Sequence, residues 1–172
     1  ITLNSRDLDI THALVIQDKK ISAKNIDYNK HIQTVTFSFE GIIKKGHAIL
    51  NLKFSGRLSS SMRGFYKSAY IDKKGDKKFI ATTQFEPVDA RSCFPCFDEP
   101  EIKSIFSVSI IINKDLDALS NMPIKSQVAS KDEKKIIFEE TPLMSTYLLA
   151  FIVGNFDYLE GKTRDNTKVR II

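Results

Sequence analysis

Ile32-Gln-Thr-Val-Thr-Phe-Ser-Phe39 sorts its side chains by alternation: Gln33, Val35, Phe37 and Phe39 fall on one side, and Ile32, Thr34, Thr36 and Ser38 on the other. Successive side chains of a strand point to opposite faces, so a run of period two reads as a strand with one buried face. The set that carries the aromatic rings is expected to face a core. The same pattern continues outward. After the turn signal at Lys44-Lys45-Gly46, Leu50, Leu52 and Phe54 alternate with Asn51 and Lys53, and Gly56 closes the strand. Gly64 to Tyr70 and Lys78 to Phe85 flank Asp72-Lys-Lys-Gly-Asp76, a Gly in a polar cluster that reads as a hairpin loop.

Ser104 to Ile112, Lys135 to Glu139 and Ser145 to Val153 are further β-branched or aromatic runs between polar breakers. Roughly ten strands at intervals of about 8–14 residues, with no convincing amphipathic helix, predict an all-β fold, a sandwich or saddle. A single helical turn is expected over Pro87 to Ser92, where Pro87 suits a first helical position and Asp89 follows close behind.

Composition bounds the function. The chain has 172 residues, 42% hydrophobic, with 26 Lys and Arg against 21 Asp and Glu, a formal charge of +5. This length suits one domain over residues 1–172, and neither a linker nor an internal repeat divides it. Two Cys are too few for a disulfide scaffold, and three His leave little material for a zinc site. No apolar stretch approaches the roughly 18 residues of a membrane helix, so no membrane span is expected. The opening Ile1 and the apolar, uncapped end at Val169 to Ile172 read as cuts in a longer protein. Few Cys and no Asn-x-Ser/Thr favour a reducing, cytoplasmic setting. The lysines come as scattered pairs, such as Lys44-Lys45 and Lys73-Lys74, most of them at expected turns. They form no basic stripe, so no nucleic-acid partner is expected.

Several chemistries find no support. Cys93-Phe-Pro-Cys96 has redox spacing, but the following Asp98-Glu99-Pro100 brings the wrong charge and blocks the helix a reactive dithiol needs, so both thiols are expected to be packed and inert. His12, His31 and His47 lie far apart in strand-like contexts, and no H-E-x-x-H, P-loop or Gly-x-Ser-x-Gly is present. The unusual stretch is Thr82-Thr-Gln-Phe-Glu-Pro-Val-Asp-Ala-Arg-Ser-Cys-Phe-Pro-Cys-Phe-Asp-Glu-Pro100, which crowds acids, an Arg and three prolines behind a greasy strand. Polar groups at a strand end suit a binding site, and equally suit an Arg–carboxylate staple for an irregular loop.

This stretch resembles the N-terminal-domain signature of the aminopeptidase N family of zinc metallopeptidases, nearest to the puromycin-sensitive aminopeptidases. Met62-Arg-Gly-Phe-Tyr-Lys-Ser-Ala-Tyr70, Ala118-Leu-Ser-Asn-Met122 and Thr141-Pro-Leu-Met-Ser-Thr-Tyr-Leu-Leu-Ala-Phe-Ile-Val-Gly154 match in order around it, so the likeness spans essentially the whole chain. The resemblance implies an all-β saddle-like domain of an enzyme that removes N-terminal residues from peptides. It also implies that zinc is held by H-E-x-x-H and a distant Glu, beside a Gly-x-Met-Glu-Asn segment, in a catalytic domain that these residues do not include. By the same resemblance, Glu86 binds the free α-ammonium of the peptide and Gln84 lines the pocket for its first side chain. No catalytic residue and no metal ligand fall in this chain, which alone is expected to be inactive.

The alternating register agrees, placing Gln84 and Glu86 on one side and Phe85 on the other. Read from the residues alone, Glu86 has an alternative partner in Arg91. Arg91 and Asp98 are expected to fix the loop, and a cis Glu86–Pro87 bond is expected where the chain leaves the strand sharply. Cys93 departs from the small apolar residue common in the family, and Glu101-Ile-Lys103 from a commoner Ala-containing start. The competing class is a stand-alone β-sandwich module that binds peptides or acts as a scaffold.

Overall fold

A computed structural model describes residues 1–172 as an all-β fold of short antiparallel strands with two single 3₁₀ turns. The first five strands are β1 (Thr2–Asn4), β2 (Leu8–Ile16), β3 (Lys20–Asn29), β4 (Thr34–Phe39) and β5 (Ile49–Gly56). They form one sheet in the order β1-β4-β3-β2-β5. Strand β3 pairs with β2 only through Lys20 to Ser22 and from Ala23 onward with β4, with an irregularity between Ala23 and Asn25. The sheet therefore curls about β3. Leu3, Val35 and Phe37 from one limb meet Ile10 and Ala13 from the other in a buried cluster, with Leu50 and Leu52 against it. The Tyr28 hydroxyl accepts a hydrogen bond from the Ile10 amide at 2.7 Å, across the limbs, where β2 bulges opposite β5.

Burial of Val35 and Phe37 follows the alternation read from the sequence, but β4 starts two residues later than Ile32. The Asn29 side chain accepts hydrogen bonds from the amides of His31 and Ile32, and Gln33 sits at φ +54°, so a local turn outcompetes extended backbone there.

Beyond Gly56 come β6 (Gly64–Ile71) and β7 (Lys77–Gln84), joined by the expected hairpin loop, in which the Asp72 carboxylate accepts from the amides of Lys74 and Asp76. A 3₁₀ turn at Ala90–Ser92 lies within the predicted helical stretch. There follow β8 (Lys103–Ser104), β9 (Ser109–Asn113), β10 (Asp117–Ser120), β11 (Ile124–Ala129), β12 (Glu133–Phe138), β13 (Met144–Ser145), β14 (Phe151–Gly154), β15 (Leu159–Lys162) and β16 (Lys168–Ile171). One sheet runs β10-β14-β7-β6 and another β11-β12-β9, while β13-β8 and β15-β16 are two-stranded.

The apolar run Ser145 to Val153 is not the single strand its composition predicts. Ser145 ends β13, Thr146–Leu148 forms a 3₁₀ turn and Phe151–Gly154 forms β14, because the Thr146 hydroxyl donates to Asp98 and the Leu149 amide donates to the Thr146 carbonyl. Strands β7 and β12 each start a residue or two before the expected Lys78 and Lys135, so Lys77 and Lys134 are also extended.

Candidate functional site

Strand β7 delivers the unusual stretch. Its last residue, Gln84, pairs in register with Gly64 at the start of β6 and is exposed; Phe85 is buried at 2% exposure, and Glu86 is exposed again. Phe85 fixes this phase. Its ring stands edge-on to Phe94 at 5.9 Å and Phe151 at 6.3 Å between centroids, in a cluster with Ala90 and Leu149. Burying that ring commits Gln84 and Glu86 to the outer side. The Glu86–Pro87 bond is cis.

Arg91 does not pair with Glu86. Its guanidinium Nε donates to Asp98 Oδ2 at 3.0 Å, its backbone amide donates to the same oxygen at 3.1 Å, and a second guanidinium nitrogen donates to the Asp98 carbonyl. Thr146 donates to the other carboxylate oxygen at 2.8 Å. Asp98 is wholly buried, and three donors to its carboxylate, one of them from a guanidinium, make that burial tolerable. Arg91 and Asp98 therefore fix the loop.

A second buried carboxylate does the same nine residues earlier. Asp89 is also wholly buried; Arg6 donates to its Oδ1 at 2.7 Å, and Arg63 donates to Oδ2 at 2.9 Å and to Oδ1 at 3.2 Å. Burial works against ionisation, yet the hydrogen bonds and charges of Arg63 and Arg6 hold this carboxyl below the usual carboxylate range. The N-terminal strand is stitched to the same loop. The amide of Asn4 bonds to the Cys96 carbonyl and the reverse bond is also made, the Arg6 amide donates to the Arg91 carbonyl, and the Asn4 side chain accepts from the Asp98 amide. Sequence reasoning missed Arg6, Arg63 and Asn4, because their partners lie 26 to 94 residues away and no spacing rule links them.

With both buried acids neutralised by arginines, Glu86 stands apart: no side chain pairs with it. Gln84 and Glu86 line neither of two surface clefts, one of about 450 Å³ among Arg6, Arg57, Arg63 and Ser59 to Ser61, the other of about 800 Å³ between Tyr70, Lys73 and Phe156. The thiols are free and inward. Burial pushes Cys93 up to about 12, and burial together with the Asp98 charge pushes Cys96 higher still, the opposite of a reactive thiolate. No three His, Cys, Asp or Glu side chains come together as a metal site, so these residues do not fit a zinc ion. No helix is long and apolar enough to cross a membrane.

The Peptidase M1 N-terminal domain family matches residues 1–148. The chain belongs to that family. Among proteins similar to this M1 N-terminal domain, Aminopeptidase M1 of Arabidopsis thaliana is 42% identical over 99% of the chain and 20% of its own length. Aminopeptidase 2, mitochondrial, of Saccharomyces cerevisiae is 43% identical over 94% of the chain and 17% of its own length. The Puromycin-sensitive aminopeptidase of Caenorhabditis elegans is 35% identical over 99% of the chain and 18% of its own length. The M1 domain thus spans about a fifth of the length of these relatives.

Proposed function

We propose that residues 1–172 form the N-terminal domain of a zinc-dependent aminopeptidase that removes N-terminal residues from peptides, and that this domain supplies recognition of the free amine. Membership of the M1 N-terminal family and the names of the relatives support the enzyme class. The observation that carries the role of this domain is the free carboxylate of Glu86, exposed three residues before the arginine-neutralised Asp89 and held in phase by a buried Phe85.

At about 4 Å and an effective dielectric near 20, a carboxylate and an ammonium attract by about 4 kcal/mol before desolvation is subtracted. An internal amide offers no such charge, which restricts action to free N-termini. Gln84, two residues earlier on the same exposed side, lines the pocket for the first side chain. Zinc, the general base and the groups that stabilise the tetrahedral intermediate belong to the catalytic domain, which is the partner of this one. The two unpaired thiols support a reducing, cytoplasmic setting.

The test is a pair of proteins, the full-length enzyme and residues 1–172 alone. Glu86→Gln in the enzyme is expected to raise KM for alanine 4-nitroanilide by about 10- to 100-fold while kcat changes little. The isolated domain is expected to release no nitroaniline. Chelator-sensitive hydrolysis by residues 1–172, or an unchanged KM in Glu86→Gln, would overturn the reading.

A further inference from the structure

Glu86 is exposed, and its carboxylate makes no hydrogen bond or ion pair that would hold it in place. Its position is set by the turn it sits on. The Asp89 amide donates to the Phe85 carbonyl at 2.8 Å, closing a loop around Glu86, Pro87 and Val88. The Asp89 carbonyl in turn accepts from the Ser92 hydroxyl at 2.7 Å and from its amide at 3.1 Å. Ser92 packs against Gly64, whose absent Cβ would stand 2.1 Å from the Ser92 Oγ, and Gly64 is the register partner of Gln84. One residue thus touches the supports of both Gln84 and Glu86. Its carboxylate is tied in turn to Arg6, just after β1, and to Arg63, just before β6.

We infer that Asp89, clamped by Arg6 and Arg63, is a positioning residue that aims Glu86 and Gln84 at the substrate's N-terminus. The inference rests on the proposed role of Glu86. Two guanidiniums on one buried carboxylate tie the turn to the end of β1 and the start of β6, and the Asp89 amide ties it to the Phe85 carbonyl at the end of β7. The charge of Asp89 is spent on the protein's own arginines, so it does not compete with Glu86 for the ammonium. A misplacement of about 1 Å in such a site can cost on the order of a hundredfold in rate, so a small relaxation of this turn is enough to be read in kinetics.

The experiment is a double-mutant cycle in the full-length enzyme with alanine 4-nitroanilide. Asp89→Asn keeps the shape and loses the charge; it is expected to raise KM about tenfold with kcat within about threefold, and Asp89→Asn/Glu86→Gln should be no worse than Glu86→Gln alone within a factor of about two. Arg63→Met, at a position 62% exposed, removes two of the three charged hydrogen bonds without opening the core, and reads the same effect if Asp89→Asn does not fold. Arg63→Lys should recover part of it. Thr146→Val, which loosens Asp98 instead, should lower stability without moving KM. Multiplying effects in the cycle, or an Arg63→Met enzyme less stable with unaltered KM, would leave Asp89 as scaffold only and overturn the inference. An unaltered KM in Glu86→Gln would overturn the role of Glu86 itself, whereas a raised KM there with none in Asp89→Asn and Arg63→Met overturns only the positioning role.

Discussion

At the scale of single residues, the loop after β7 is governed by which acids lose their charge to a neighbour. Asp89 is held below the usual carboxylate range, so its ion pairs add stability that is full above its ordinary value of 3.8 and is lost as the pH falls through the lowered one. Asp89→Asn is therefore expected to cost about 2–3 kcal/mol at pH 7, less than a fully enclosed pair because Arg63 is largely exposed and solvent screens it. That gap, measured by urea unfolding, should start to narrow as the pH falls below 3.8, where the unfolded chain takes up the proton, and close as the pH falls through the lowered value of the folded protein. The thiols behave oppositely. Cys93 is raised from 9.0 to about 12, so its folded, protonated form adds stability at low pH that is lost as the pH rises from its ordinary value toward the raised one. Urea midpoints should fall over that alkaline window, less steeply in Cys93→Ala, and native protein should react slowly with a thiol reagent until it unfolds.

At the scale of elements, the decisive contact is between the start of β6 and the 3₁₀ turn at Ala90–Ser92. Gly64 is required twice over: its φ of +71° is a left-handed conformation that costs an L side chain about 1 kcal/mol, and a Cβ there would overlap Ser92. Gly64→Ala is expected to lose about 2–4 kcal/mol, since the strain of overpacking adds to the backbone cost. Adding Ser92→Gly should recover the clash and leave the backbone part, a comparison that chemical denaturation of the three variants can make. The aromatic chain from Phe65 through Phe151 and Phe85 to Phe94 and Phe106 does the apolar half of the same work, joining β6, β14 and the loop edge-to-face. Alternation along β4 was legible because that strand has one buried face, whereas β7 buries no residue of its own and the phase of Gln84 and Glu86 comes from Phe85 just beyond its end. The Thr146–Leu148 turn was not, because its apolar composition suits a strand and only the bond to Asp98 redirects it.

At the scale of the whole molecule, the two ends of the loop are pinned by the first six residues. Asn4 exchanges backbone bonds with Cys96, and Arg6 reaches both the Arg91 carbonyl and the Asp89 carboxylate. Removing residues 1–6 is expected to cost more than about 3 kcal/mol, because it takes one partner from a buried charge and leaves backbone groups unpaired. The change should show as faster labelling of Cys96 and faster amide exchange over residues 89–98. By itself the sequence determined the all-β class, the hairpin at Asp72 to Asp76, the outward phase of Gln84 and Glu86, and through its ordered motifs the family. These are local or patterned properties, set by alternation along the chain and by turn chemistry within a few residues. Only the tertiary structure decided which arginine neutralises which acid, and so which carboxylate is left free. Arg6 and Asp89 are 83 residues apart, Asn4 and Asp98 94 apart, and such pairs are chosen by how the curled sheet and the loop are packed, since a charge taken out of water takes whatever partner the fold brings to it.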